Sequence, residues 1–392
     1  MKKSSDIDVQ LSQPFIDGSE DHPRSPVERR GLTAEALERL VYLVGTPRGG
    51  TTVITRSIYL SERVFACPNP TRFTHHVWRH RNKVDGRLLT DIFKMPKFYH
   101  ERRALRTLDR AERARIERQI RNAFNSLNLG EMYRLYPLIY SLDPKCERSA
   151  RKAVCWADKA NDIYGLFDLA HSLPQAKFIL IIRDPRATVA SMKSQTVRSQ
   201  GTQSSRQANV AALLASCIYW RNMMQHFLRL VRRYPDRAMF LCYEDFVKNP
   251  EETINRALEF ATGDRMPVEA LEAGFSQFEH KQKHDRDAQG RKKPDQEAGH
   301  GIDRRPLDRW RRMLDDDEVL FTTAFTWRTA RKLGYQIDPP KRRFAALRAV
   351  SRLKGWRKRT VCAAKLAYLE LMEALVSCRR ESASAAAAPG TM

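Results

Sequence analysis

The sequence predicts an α/β fold in which helices cover both faces of a central parallel sheet. Two segments, Val41–Val44 and Ala176–Ile182, have the continuous apolar character of strands that are buried on both sides. Each is followed by a turn and then by a helical pattern, which is the order expected of an α/β protein. With 392 residues, of which 42% are hydrophobic, the chain is long enough to bury the core of one elaborated domain.

A short glycine-rich loop, Gly45 to Gly50, follows the first predicted strand, and a helix is predicted to begin at Thr51. Such a loop directs backbone N–H groups towards one small volume, with the positive end of the helix dipole behind them, and an oxyanion can fill that volume. An ATP-binding P-loop carries a lysine after its second glycine, whereas this chain has Thr51 there and a cation, Arg48, inside the loop. The loop therefore predicts a phosphate site of P-loop type without the ATP-binding lysine.

A second phosphate motif follows the second apolar strand. Arg183 comes directly after Ile182, and Ser191 lies near the start of the helical pattern beyond Pro185. Ligands of open parallel sheets bind at the carboxyl ends of the strands, where Arg183 is expected. An arginine and a hydroxyl can bind a phosphate there through charge-assisted hydrogen bonds.

Taken together, the two motifs resemble those of sulfotransferases, enzymes that use 3′-phosphoadenosine 5′-phosphosulfate (PAPS). The segment G-x-P-R-x-G-T-T resembles their 5′-phosphosulfate loop, and Arg-Asp-Pro followed by Ser191 resembles their 3′-phosphate motif. The resemblance covers residues 40 to 335 and implies a P-loop-type three-layer sandwich that requires no metal. It also implies that PAPS is bound by Arg48, Gly49, Gly50, Thr51, Thr52, Arg183 and Ser191.

The resemblance also suggests catalytic residues. Arg48 stands where related enzymes place a catalytic lysine or arginine. Relatives usually supply a base, a glutamate or histidine, shortly after the second strand, but this chain has Asn69 in the corresponding turn. His75 and His76 are the nearest candidates, because a histidine titrates close to neutral pH.

The first part of the chain contains a polar arm and a helical insertion. Residues 1–36 are predicted to be a flexible arm, followed by a sulfotransferase domain at 37–340, with a short helix at 32–40 and a second strand at 63–68. Residues 72–150 are predicted to form a helical lid beside the cofactor, and residues 72–121 contain 15 Lys and Arg against 6 Asp and Glu. A solvated basic face with no role in acceptor binding remains the alternative for this segment.

Further elements follow in order. The segment 156–161 leads into a helix at 164–173, and its Lys159 resembles a family lysine but is left out of the predicted site. The polar stretch 193–207 is predicted to be a mobile loop, and 211–233 a helix with Trp220 in the core. The segment 238–246 is predicted to be a strand that ends in Tyr-Glu-Asp. We expect Glu244 and Asp245 to be structural, because carboxylates at the site would repel a polyanion.

The C-terminal third is strongly basic. The segment 276–305 contains many cations, of which some are expected to fold over the cofactor, and Arg309-Trp310-Arg311 resembles a family segment that follows such a loop. A terminal helix is predicted at 315–335. Residues 341–392 form a basic extension, in which 341–381 has 12 Lys and Arg, 3 Asp and Glu, and apolar residues at helical intervals. This extension either lies on an anionic membrane or packs on the protein.

Composition limits the partners, the metal or disulfide sites and the cellular location that can be expected of the protein. The formal net charge of +24 favours anionic partners. The seven cysteines include no C-x-x-C pair, so neither a zinc site nor a disulfide framework is indicated, and reduced thiols suggest the cytoplasm. No apolar stretch approaches the length of a signal-peptide core or a membrane span.

The sequence as a whole favours an enzyme that moves the sulfuryl group of PAPS to a hydroxyl of a carbohydrate, a glycolipid or another small acceptor. A nucleotide or sugar kinase is one alternative, although Thr51 argues against it. A non-enzymatic protein that binds nucleic acid or an anionic membrane is the other. It would explain the charge but would leave the two phosphate motifs as coincidence, so nucleic acid is not the expected partner.

Overall fold

The computed structural model describes residues 31–67, 99–125, 129–143, 145–161, 163, 165–199, 206–278, 301–302 and 307–338. The predicted arm up to residue 30, the candidate bases His75 and His76, most of the basic segment 276–305 and the extension 341–392 lie outside these residues.

The centre of the fold is a five-stranded sheet in which all strands are parallel. Its strands are β1 (Leu40–Gly45), β2 (Val64–Ala66), β3 (Cys155–Ala160), β4 (Lys177–Ile182) and β5 (Ala238–Cys242), in the order β2-β3-β1-β4-β5. In the register of β1 and β4, Gly45 lies opposite Ile181. The loop after β1 therefore begins beside the residues that follow β4, at the edge of the sheet where ligands of parallel sheets bind.

Thirteen α-helices and one 3₁₀ helix are present in the described residues. The helices are α1 (Ala34–Glu38), α2 (Thr51–Ile58), α3 (Tyr99–Thr107), α4 (Arg110–Asn125), α5 (Leu129–Ser141), α6 (Glu147–Lys152), α7 (Leu166–Ser172), α8 (Pro185–Ser199), α9 (Arg206–Arg233), α10 (Tyr243–Lys248), α11 (Pro250–Thr262), α12 (Val268–Ser276), the 3₁₀ helix (Arg309–Arg312) and α13 (Asp316–Lys332). The predicted α/β class and the strands at both phosphate motifs are confirmed.

The chain divides into two compact units. Among the described residues, the first contains 31–40, 62–67, 99–125, 129–143, 145–157 and 168–176. Its core is aromatic: the rings of Tyr133 and Trp156 meet edge to face at 5.0 Å, and those of Phe65 and Tyr140 lie 5.4 Å apart. The indole N–H of Trp156 donates to the carbonyl of Leu37 at 2.8 Å, so this buried ring also has a partner for its polar atom.

Among the described residues, the second unit contains 41–61, 158–161, 163, 165–167, 177–199, 206–278, 301–302 and 307–338. Helix α8 packs against α9 and α13, while α2 packs against α11 and α12. Helix α11 begins at Pro250 and ends before Gly263, whose φ of 85° is left-handed, as the Asn-Pro start and the glycine stop predict. Both phosphate motifs belong to this unit.

Two predictions of local structure were wrong, and one strand was not predicted. The segment 193–207 is not wholly a loop, since α8 continues to Ser199 and α9 begins at Arg206. Lys193 of α8 forms an ion pair with Glu318 of α13. This tertiary contact stabilises α8, and it cannot be predicted from the local sequence.

The second wrong prediction concerns the end of β5, and the strand that was not predicted is β3. Tyr243, Glu244 and Asp245 begin α10 instead of ending β5, and acidic residues in a first turn stabilise a helix through its dipole. The segment 156–161, which the sequence analysis did not assign to a strand, contains most of β3, all of whose residues are buried.

Candidate active site

The glycine loop between β1 and α2 is a tight turn. The N–H of Gly49 donates to the carbonyl of Thr46 at 2.9 Å, and a Cβ on Gly49 would lie 2.7 Å from the Thr46 hydroxyl oxygen. Gly50 has a φ of 87° and precedes the first residue of α2. The loop thus keeps its backbone close to the helix N-terminus, which is the arrangement that presents N–H groups to a phosphate.

Arg48 has the only positive φ among the non-glycine residues described, at 68°. An arginine in the left-handed region is strained, and such strain persists only where the surroundings fix the conformation. Two bonds do so here: Arg183 Nη1 donates to the Arg48 carbonyl at 2.9 Å, and Arg48 Nε donates to the Ser191 hydroxyl at 3.0 Å. The two phosphate motifs are therefore one hydrogen-bonded cluster.

Tyr243, at the start of α10, contacts both motifs. A Cβ on Gly50 would lie 2.1 Å from Cδ2 of this ring, so only glycine allows the observed approach. On the same ring, the guanidinium carbon of Arg183 lies 4.4 Å from the centroid, within the range of a cation–π contact. Sequence reasoning did not select Tyr243, because its Tyr-Glu-Asp segment was assigned to a strand end.

The backbone of Arg183 is fixed as well as its side chain. Arg183 is 7% exposed, and its carbonyl accepts a hydrogen bond from the indole N–H of Trp220 at 3.2 Å. Trp220 was predicted to be a core residue, and its side chain is fully buried. The structure adds a role that the sequence did not reveal, because the ring also fixes the backbone from which a predicted site residue extends.

Lys159, which was left out of the predicted site, contacts one of the predicted site residues. It lies near the carboxyl end of β3, is 9% exposed, and its Nζ donates to the hydroxyl of Thr52 at 2.8 Å. Burial lowers the pKa of Lys159, the charge of Arg56 lowers it further, and Asp158 partly opposes both effects. Recognising β3 would have placed Lys159 at the edge of the sheet where the ligand is expected.

Thr51 is buried, and its hydroxyl donates to Oδ1 of Asn161, the residue after β3, at 3.2 Å. Asn161 is itself held, since the hydroxyl of Tyr219 donates to its carbonyl. The buried side chain of Thr51 therefore fixes the end of the loop to the residue after β3, whereas Thr52 is exposed.

The predicted R-W segment forms the 3₁₀ helix. Trp310 is 7% exposed, and the guanidinium carbons of Arg186 and Arg311 lie 4.5 and 4.8 Å from its ring centroid. Arg186 also pairs with Asp184 at 2.6 Å. This contact joins the segment to the residues immediately after Arg183.

The residues at this edge of the sheet suit a ligand with two anionic groups. Three cations (Arg48, Lys159 and Arg183), the hydroxyls of Thr52 and Ser191, and a glycine cradle that a Cβ would fill all lie within the second unit. The buried hydroxyl of Thr46 has no hydrogen-bond partner among the described residues. Within the same residues, no group of three His, Cys, Asp or Glu side chains is arranged to hold a metal ion.

Comparison with known proteins identifies the family. A family model described as the sulfotransferase family matches residues 41–264, more than half of the chain, and includes both motifs. No curated protein sequence matches the chain.

Solved structures with a similar fold include two sulfotransferase domains. That of the olefin synthase of Synechococcus PCC 7002 shares 18% identity over 76% of this chain and 95% of its own, with a TM-score of 0.47. That of the curacin biosynthetic pathway shares 16% identity over 76% and 98%, with a TM-score of 0.45. A retinol dehydratase in complex with retinol and PAP shares 15% identity over 78% and 84%, with a TM-score of 0.39.

The match of the family model over residues 41–264 confirms the prediction from the two phosphate motifs: the chain belongs to the sulfotransferase family, whose members use PAPS.

Proposed function

We propose that this enzyme transfers the sulfuryl group of PAPS to a hydroxyl of a carbohydrate, a glycolipid or another small acceptor. The observation that carries the proposal is the bonding of Arg48 to Arg183 and Ser191, which joins a 5′-phosphate loop to a 3′-phosphate motif. A site that holds two separate phosphates suits a nucleotide phosphorylated at both positions.

Arg48 is proposed as the catalytic cation. When bound, PAPS supplies an activated sulfuryl group whose bridging oxygen gains negative charge as the S–O bond breaks. In such loose, in-line transfers, positioning and charge stabilisation provide most of the catalysis. Arg48 and the N–H groups of Gly50 and Thr51 are preorganised donors, and donors aimed at developing charge lower the barrier.

Arg183 and Ser191 are proposed to bind the 3′-phosphate. Arg183 uses one N–H for the carbonyl of Arg48, and a guanidinium has five N–H groups in a planar fork. The hydroxyl of Ser191 accepts from Arg48 Nε and can donate its own proton to a phosphate oxygen. Both side chains can therefore bind the ligand while they maintain the loop.

Lys159 and Thr52 are proposed to bind the 5′-phosphate. The hydroxyl of Thr52 accepts from Lys159 Nζ, which leaves its proton for a ligand oxygen. Lys159 thus supplies from β3 a cation that an ATP-binding P-loop would carry at the position of Thr51. Because the Thr51 hydroxyl donates to Asn161, we assign the phosphate contact of Thr51 to its backbone N–H.

The remaining parts of the proposal concern the acceptor side and the location. His75 and His76 are kept as candidate bases, and residues 341–381 as a contact for an anionic membrane. A cytoplasmic location is supported by the free thiols of Cys67, Cys146, Cys155, Cys217 and Cys242. Within the described residues, no helix combines the length and hydrophobicity needed to cross a membrane.

The experiment that tests the function is calorimetric titration with 3′-phosphoadenosine 5′-phosphate (PAP) and with AMP, for wild type, Arg183→Ala and Ser191→Ala. Wild type should prefer PAP, and Arg183→Ala should weaken PAP binding by about tenfold to a hundredfold, the value of a charged hydrogen bond. AMP binding should stay within a few fold in both variants. Exposed Arg232 provides the matched control, Arg232→Ala. Equal binding of PAP and AMP by wild type would contradict the proposal.

A further inference from the structure

Glu244 lies beside the site but has no role in the function proposed above. One carboxylate oxygen, Oε1, accepts from the backbone N–H of Asp184 at 2.9 Å. The other, Oε2, accepts from the hydroxyl of Tyr335 and from the thiol of Cys242, each at 3.0 Å. Three donors from separate parts of the second unit therefore converge on one carboxylate.

The peptide group between Arg183 and Asp184 is held at both of its polar atoms. Trp220 donates to its carbonyl oxygen, and Glu244 accepts from its N–H. This peptide determines the direction in which the Arg183 side chain leaves the end of β4. Tyr243, the neighbour of Glu244, lies under the Arg183 guanidinium, so the start of α10 supports Arg183 at its backbone and at its side chain.

A carboxylate close to a polyanion site requires an explanation, because its charge would repel the ligand. Here hydrogen bonds from neutral groups stabilise that charge. Burial, with a further contribution from Glu244, raises the pKa of Cys242 to about 12. Burial and then the charge of Glu244 also raise the pKa of Tyr335. Both groups therefore keep their protons and remain donors to Glu244 at neutral pH.

We propose that Glu244 is a positioning residue for the 3′-phosphate, and that Tyr335 is its partner: together they hold the peptide from which Arg183 reaches the ligand. Through Tyr335, the segment that follows α13 becomes part of this support, although it lies far from both phosphate motifs in the sequence. The inference rests on the proposed role of Arg183.

The test compares PAP and AMP binding in Glu244→Gln and Tyr335→Phe. The side-chain oxygen of a glutamine can still accept a hydrogen bond from the Asp184 N–H. Its NH2 group is itself a donor, however, so it cannot accept from Tyr335 and Cys242. Glu244→Gln should weaken PAP binding by about tenfold, the value of hydrogen bonds to a charged group, and leave AMP binding within twofold. Tyr335→Phe removes one donor at nearly constant volume and should show the same selective loss at about threefold. In both variants KM for PAPS should rise and kcat should stay unchanged.

Several results would overturn this inference. Unchanged PAP affinity in Glu244→Gln would do so, as would a parallel loss of PAP and AMP binding, which indicates general loosening of the fold. If Glu244→Gln does not fold, an unchanged preference for PAP in Tyr335→Phe decides against the inference. Glu259→Gln is the matched control, because Glu259 is exposed and pairs only with a surface arginine among the contacts described.

This outcome is distinguishable from failure of the proposed function. If wild type does not prefer PAP, or if Arg183→Ala does not remove that preference, the function itself is wrong. If both of those results hold and only the Glu244 and Tyr335 variants behave like wild type, the positioning role alone is wrong.

Discussion

The glycine loop (residues 45–52) and the strand-end motif (residues 183–191), which we propose to bind the two phosphates, differ in how they are built. The loop depends on backbone conformation, since Arg48 and Gly50 both have a positive φ and Gly50 tolerates no Cβ. The strand-end motif has no residue with a positive φ, and depends on where two side chains point. The loop is therefore sensitive to any change of backbone, whereas the strand end is sensitive to a loss of specific atoms.

The largest effect is expected when the cation of the loop is removed. Arg48→Ala should lower kcat by about a hundredfold to a thousandfold, the usual loss for one preorganised donor to a developing charge. Arg183→Ala should act mainly on KM for PAPS, so steady-state kinetics on the two variants separate the motifs. Arg232→Ala serves again as the exposed control. Equal effects of the Arg48 and Arg183 variants on kcat would contradict the assignment of kcat mainly to the loop and of KM mainly to the strand-end motif.

A smaller effect is expected at Lys159, which supports only the loop. Lys159→Met should lower kcat/KM by about tenfold to a hundredfold and weaken PAP and AMP binding alike, because we propose that its partner Thr52 binds the 5′-phosphate shared by both nucleotides. Exposed Lys248 offers the matched control, Lys248→Met. A loss restricted to PAP would instead assign Lys159 to the 3′-phosphate.

Lys159→Met should lower activity, but it should raise the stability of the fold at neutral pH. Burial lowers the pKa of Lys159 in the folded protein from the ordinary lysine value of 10.5. Between the two pKa values the unfolded chain binds more protons, so this residue makes stability rise with pH in that window. Lys159→Met should therefore be more stable than wild type at neutral pH, and urea titrations should show the difference shrinking as the pH approaches 10.5.

The smallest effect measures the strain in the loop. Arg48→Gly and Arg48→Ala both remove the guanidinium and should lower kcat to the same extent. The glycine variant should nevertheless have the larger free energy of unfolding, by about 1 kcal/mol, because glycine adopts a positive φ without the steric cost that alanine bears. Thermal and urea unfolding measure this difference. Equal stability of the two variants would mean that the loop relaxes to a negative φ once the guanidinium that bonds to Ser191 is removed.

The sequence was sufficient to predict the fold class, both phosphate motifs and the strands that carry them. These features depend on local patterns: continuous apolar runs, a glycine spacing, and an arginine at the end of a strand. The bonds that join the motifs could not be predicted, because Arg48 and Ser191 meet only through the pairing of β1 with β4.

Two residues that support the site were left out of the prediction for different reasons. Lys159 was considered but left out, because a lysine in the short, partly polar segment 156–161 is equally typical of a surface position, and the burial of β3 could not be seen from the sequence. The contacts of Tyr243 with Gly50 and Arg183 depend on α10 beginning at Tyr243, and the acidic residues of that first turn were a local signal for a helix.

The buried threonine at the start of α2 also limits how this scaffold could be redesigned. An engineer who wished to convert the loop to ATP chemistry would first try Thr51→Lys, which restores the P-loop pattern. Thr51 is only 4% exposed and is bonded to Asn161, so a longer charged side chain would have to displace β3 contacts or enter the interior unpaired. The packing around Thr51 thus joins the loop to β3, and converting the loop to ATP chemistry would require that strand to be rebuilt with it.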